Sequence, residues 1–244
     1  MRLNFFILLV LYINVFGQTD QFVFEQANAR YQAGMYQEAI DLYLQMGANG
    51  KVSGEVYFNL GNAYYKLGDI GRAILYYEKA KIFLESDEAL DQNIRLARLR
   101  TVDEIEPLPR LFLIEWWETL LHVLSLETIA WITYGIYLLV VFLLALNILW
   151  HGRWKRWVWI AIWVFVPILL IFLSRVYQFE TSQFGIILET KVSVMNEPNI
   201  SGQEIFILHE GTKVRINRSV DNWDEISIPD GKTGWIEQKS LEVI

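Results

Sequence analysis

The sequence predicts a multidomain chain: an all-α region of tandem helical hairpins, a two-helix transmembrane hairpin and a small all-β barrel. Three observations predict it. Residues 22–46 recur in 56–80 at a lag of 34, with eight identities in 25 pairs. The runs 128–150 and 157–174 carry no charged side chain. Residues 184–244 alternate apolar and polar positions in short stretches punctuated by Gly and Pro. A hydrophobic content of 53% in 244 residues is therefore concentrated rather than spread, which excludes a single soluble globule.

The chain opens on Arg2, a continuous apolar core from Phe5 to Ile13, and then Val15 and Gly17 at the places of a small-residue cleavage site. This reads as a secretory signal peptide over 1–17, the alternative being an uncleaved anchor. Either way the chain that follows is expected to be exported.

In the repeat, Tyr57, Leu60 and Tyr64 lie three or four residues apart and define one helical face. Gly61 and Ala73 are small where two helices of a hairpin must approach. Gly68 is placed to end the first helix and Asp69 to cap the next. Tyr57, Leu60, Gly61, Tyr64, Gly68, Ala73, Tyr77 and Ala80 together resemble the tetratricopeptide repeat, with Glu85 departing where that family often has Pro. The first copy is weaker, having Gln26 and Arg30 where Leu and Tyr are usual. A tetratricopeptide domain is expected over 20–100, closed by a polar capping helix at Glu88–Arg100. The resemblance implies a groove for extended peptides. Its candidate residues are Phe24, Asn28 and Tyr31 in the first copy, and Phe58, Asn59, Asn62, Tyr65 and Lys66 in the second. Asn can both donate to and accept from a peptide backbone. The competing reading is that these side chains satisfy neighbouring helices.

Residues 101–110, with two Pro, are expected to be a linker. Residues 111–126 carry Glu115, Glu118, His122 and Ser125 as one polar stripe on an apolar helix. An amphipathic helix in the membrane interface fits this pattern, with Trp116 and Trp117 at headgroup depth. The span 128–150 is long enough to cross ~30 Å of hydrocarbon. Its 13 Leu, Ile, Val and Phe residues are worth about 4–8 kcal/mol of insertion. The second span is expected over 157–177, with Pro167 kinking it. Between them 151–156 holds Arg153, Lys155 and Arg156 without an acid, which the positive-inside rule keeps in the cytoplasm. Eight of the ten Trp lie between 116 and 163. Both soluble parts are thus expected outside, in the periplasm of a bacterial inner membrane.

At the carboxy-terminal end Val192/Val194, Ile205/Ile207, Val214/Ile216 and Ile226/Ile228 read as half-buried strands, with Asp230-Gly231 as a turn into a fifth at Gly234-Trp235-Ile236. Five short strands predict a small barrel over 184–244. Gly211, Gly231, Gly234 and Trp235 resemble a bacterial SH3-like domain. Trp223, near a loop, is the stronger ligand candidate; Trp235 is the second, more consistent with packing.

Charge and motifs narrow the function. Residues 18–110 hold 10 basic and 14 acidic side chains, and 179–244 hold 6 and 11, so neither part has the basic stripe nucleic acid requires. With no Cys and three scattered His, no disulfide, catalytic residue, cofactor motif or metal site is expected. The expected role is non-enzymatic: a membrane scaffold or adaptor. The order of parts resembles the BatE-type proteins of Bacteroides aerotolerance operons. That resemblance implies an oxidative or envelope-stress complex, with membrane-anchored von Willebrand A-domain proteins and, indirectly, a MoxR-type ATPase as partners; the lipid bilayer is the other expected contact. The alternative is a peptidoglycan-binding protein for wall attachment or sensing.

Overall fold

The computed structural model describes residues 21–48, 53–85, 87–106, 108–109, 112, 116–117, 124–181 and 183–244. The expected signal peptide, and Glu115, Glu118 and His122 of the expected interfacial helix, lie outside the described residues. The chain divides into two compact units, Met1–Pro107 with Gln183–Ile244, and Leu108–Ser182. Helical repeat and carboxy-terminal sheet therefore belong to one unit.

Among the described residues that unit holds five helices: α1, described over 21–32, then α2 (Tyr36–Ala48), α3 (Gly54–Leu67), α4 (Ile70–Phe83) and α5 (Glu88–Arg98). Their ends follow from local chemistry. Ser53, Asp69 and Asp87 each accept a backbone N–H from the first turn of α3, α4 and α5. Gly68 stops α3 at φ 85°, a left-handed conformation that costs Gly little, and its N–H returns to the carbonyls of Tyr64 and Tyr65. Gly61 is required by packing, because a Cβ there would run into the Tyr77 ring. Ala27, Ala39, Ile40, Tyr43, Leu60 and Ala63 form a core between α1, α2 and α3. Ile70, Ile74, Tyr77, Leu90, Ile94 and Ala97 form a second core.

The sheet has seven antiparallel strands: β1 (Gln183–Ile187), β2 (Lys191–Met195), β3 (Glu204–His209), β4 (Lys213–Val220), β5 (Trp223–Ser227), β6 (Thr233–Glu237) and β7 (Leu241–Val243). They pair in the order β3-β2-β6-β5-β4-β1-β7. This corrects the expected SH3-like barrel. The sheet is open, with β3 and β7 as edges that do not pair with each other. Both edges are engaged elsewhere. The His209 N–H at the end of β3 donates to Asp103 Oδ2 at 2.7 Å, and Glu242 of the three-residue β7 accepts from Lys79 of α4. Val192, Val194, Leu208, Val214, Ile216, Ile226 and Ile236 make the sheet's own core.

The second unit contains α6 (Leu126–Leu149) and α7 (Lys155–Thr181), joined by a tight turn in which His151 and Gly152 take φ 49° and 84°. Ser125 caps α6 by accepting the Thr128 N–H. Helix α7 continues through Pro167. Both helices are long and apolar enough to cross a membrane. Their apolar side chains face outward rather than into a core: Ile148 is 77% and Trp163 75% exposed.

Candidate functional site

The first helix of each repeat presents an asparagine to the next. Asn28 Oδ1 accepts from Tyr43 Oη at 2.5 Å and from Asn59 Nδ2 at 3.1 Å. Thirty-four residues on, Asn62 Oδ1 accepts from Tyr77 Oη at 2.8 Å and from Asn93 Nδ2 at 2.9 Å. The repeat in sequence is thus a repeat of hydrogen bonds, tying α1 to α3 and α3 to α5.

Among the described residues, each amide bonds through one of its two polar atoms. Asn28 Nδ2, Asn59 Oδ1, Asn62 Nδ2 and Asn93 Oδ1 have no hydrogen bond to another described residue. These are two NH₂ groups and two carbonyl oxygens, on residues that are neither fully buried nor fully exposed. The tyrosines that hold them stay protonated. Burial pushes the Tyr43 phenol up to about 12, and it pushes that of Tyr77 up as well. Both remain neutral donors at any physiological pH.

Aromatic rings flank the amides in the same period. Phe24 packs on Tyr43 with centroids 6.1 Å apart, and Phe58 on Tyr77 at 6.0 Å. Tyr31 meets Tyr36 edge-on at 5.4 Å, and burial raises its phenol too. The Arg100 guanidinium lies 5.1 Å over the Tyr65 ring, and Lys66, the next residue in the chain, is exposed. Asn93 and Arg100 were not among the sequence candidates, although they stand 34 residues after Asn59 and Lys66.

The two tryptophans of the sheet share a face. Trp223 pairs laterally with Glu237, and Trp235 with Glu225, on neighbouring strands. Trp223 follows the turn residue Asp221, whose φ is 52°, and is half-buried. Trp235 is 6% exposed, yet it alternates with the core residue Ile236 and so faces away from the sheet core. The Arg218 guanidinium covers it at 5.0 Å, held by Glu225 at 2.8 Å.

A third cluster joins helices to sheet. Glu78 of α4 is 5% exposed and bonds Arg98 at 2.6 Å and Lys213 at 2.7 Å. Burial alone would raise its carboxyl; the Lys213 and Arg98 charges outweigh it and hold Glu78 below the usual range. Asp103 accepts from the His209 N–H and from Thr212 Oγ1, and also meets His209 Nδ1 at 2.7 Å. Burial works to raise this carboxyl, and the Thr212 and His209 bonds more than offset it. No group of His, Asp and Glu fit to hold a metal occurs among the described residues.

The profile of the tetratricopeptide repeat matches residues 54–81, and α3 with α4 form such a repeat. No curated protein matches the chain. Among solved structures it is similar to NlpC2 and NlpC1 from Trichomonas vaginalis, each 22% identical over 26% of this chain, with TM-scores of 0.24. The chain spans 26% and 24% of those two proteins.

Proposed function

We propose that the protein is a non-enzymatic, membrane-anchored adaptor that takes an extended peptide segment along the α1, α3 and α5 faces of its helical repeat. The observation that carries this reading is the set of half-used amides. Asn28, Asn59, Asn62 and Asn93 are oriented by neighbours and still offer donors and acceptors that a peptide backbone matches irrespective of its side chains. Phe24, Phe58, Tyr31 and Tyr65 add apolar contact, and Lys66 with Arg100 adds positive charge at one end.

The two apolar helices supply the anchor, and the basic turn Arg153–Arg156 supports an inner-membrane hairpin with the soluble unit in the periplasm. The order of repeat, hairpin and carboxy-terminal sheet supports a place beside BatE-type proteins. On that reading the bound segments belong to membrane partners such as von Willebrand A-domain proteins. The test is full-length protein in native membranes with a photo-crosslinking residue at Phe58. Asn62→Ala with Asn93→Ala should lower crosslinking to partners at least tenfold while the helical circular dichroism stays unchanged. Equal yields would remove the groove.

A second reading is wall binding through the sheet, favoured by Trp223 and the Arg218-covered Trp235 on one face. Pelleting of the full-length protein with peptidoglycan sacculi separates the two. Binding that Trp223→Ala abolishes and Asn62→Ala leaves intact would replace the adaptor with a wall-attachment protein.

A further inference from the structure

The helical array ends abruptly. Asn93 and Arg100 place α5 as the first helix of a third repeat, but the chain turns away after Leu99, with Thr101 Oγ1 donating to the Arg98 carbonyl at 2.7 Å. No second helix of that repeat follows among the described residues, and the apolar faces of α4 and α5 would be left open. The sheet closes them. Ile186 of β1, 0% exposed, belongs to the same core as Ile74, Leu90, Ile94 and Ala97, and Leu188 and Ile244 pack against it.

The join is close and polar as well as apolar. A Cβ on Gly211, whose φ is 85°, would stand 2.7 Å from Thr101 and 2.9 Å from Ile74. A Cβ on Gly71 of α4 would be 3.3 Å from the Ile187 carbonyl. Glu78 needs Lys213 from β4 as well as Arg98 from α5, and Lys79 meets Glu242 at 2.6 Å. From the other direction Asp103 holds His209 and Thr212, and Ile105 packs on the sheet core.

We infer that residues 183–244 are the terminal cap of the helical array, so that 108–182 is an insertion into one soluble body that is completed only when the chain has returned from α7. Terminal repeats of a solenoid need a cap, because each repeat buries its apolar face only against a neighbour. Here the cap is a sheet delivered from the far side of a 75-residue insertion. Two consequences follow. The array and the sheet lie in one compartment, because segments sharing a core cannot be separated by a bilayer. And α5, which carries Asn93, is set in place last, so the array reaches its full extent only after the second apolar helix has been threaded. The cap stands independently of the peptide-groove reading; the compartment consequence alone assumes that α6 and α7 cross a membrane.

The chain contains no Cys, so introduced thiols report without background. In full-length, detergent-solubilised protein carrying Lys79→Cys, Glu242→Cys and a protease site at His151–Gly152, a short bismaleimide should leave the two halves covalently joined after cleavage. Complete separation, with each single-Cys variant fully labelled, would overturn the shared body. In intact membranes an impermeant maleimide should label Lys66→Cys and Asn222→Cys from the same side; labelling from opposite sides would overturn it as well.

The capping role is read by hydrogen exchange in full-length Ile236→Val, a mild change within the sheet core. Amides of Leu90–Ala97 should exchange faster by the same factor as those of β1, roughly three- to tenfold for the loss of one buried methyl. Acceleration in the sheet alone would show that α5 stands without it and would reject the cap.

Discussion

Tyr77 donates its phenolic hydrogen to Asn62 Oδ1 at 2.8 Å across the second helical hairpin, and Tyr43 makes the same bond to Asn28 in the first. Each bond does two things: it satisfies a buried hydroxyl and it sets the direction of an amide that the next helix then reads. Helix packing and the link to the next helix therefore share one group. Tyr77→Phe keeps the ring and removes the donor. It should cost about 1–2 kcal/mol in denaturant unfolding, the usual range for losing one such bond. Crosslinking at the groove should weaken with it, since Asn62 is then oriented by Asn93 alone.

Gly61→Ala tests the helix contact at its tightest point. Helix propensity alone would favour Ala by about 1 kcal/mol. The added methyl meets the Tyr77 ring, however, and overpacking of this kind costs about 1–3 kcal/mol or more. A net loss of stability is expected, read from the urea midpoint. A gain would mean that Tyr77 has room to move.

Acid should loosen the join between helices and sheet. Glu78 and Asp103 both have carboxyls held lower in the fold than in the unfolded chain, where they titrate near pH 4. Their contribution is therefore fully present above about pH 5 and is lost as pH falls through the folded values. Glu78→Gln should flatten the fall of the unfolding midpoint between about pH 5 and 3, measured against wild type. An unchanged slope would show that Glu78 is not a source of the acid sensitivity.

Lys213→Met leaves Glu78, which is 5% exposed in the native protein, with Arg98 as its single cation. Removing one partner of a buried ion pair costs about 3–5 kcal/mol, and the remaining arginine should bring this to roughly 1–3 kcal/mol. The double variant Glu78→Leu, Lys213→Met should recover part of that loss. Thermal unfolding of the four proteins in the cycle measures the coupling.

Much of this fold was legible in the residues. Gly68, Asp69 and the Tyr57–Leu60–Tyr64 face act locally, within one turn of where they stand, and they placed α3 and α4 correctly. Apolar length alone marked α6 and α7. The sheet was harder. β1 and β7 were missed because Gln183–Ile187 follows α7 almost directly and Leu241–Val243 is three residues long. Closure into a barrel was expected from strand number, but whether a sheet closes depends on what its edges meet. Here those edges meet Asp103 and Lys79, from distant sequence. The same reason hid Glu78 with Lys213, 135 residues apart, which no spacing rule connects. Asn93 was within reach, since it stands one repeat after Asn59.

The tied amides also act as pairs. If Asn28 alone turned over, its NH₂ would face the NH₂ of Asn59, and Asn62 would face Asn93 in the same way, so each pair can exchange its oxygens and nitrogens only together. A change at one asparagine is therefore passed to its partner on the next helix, 31 residues along the chain.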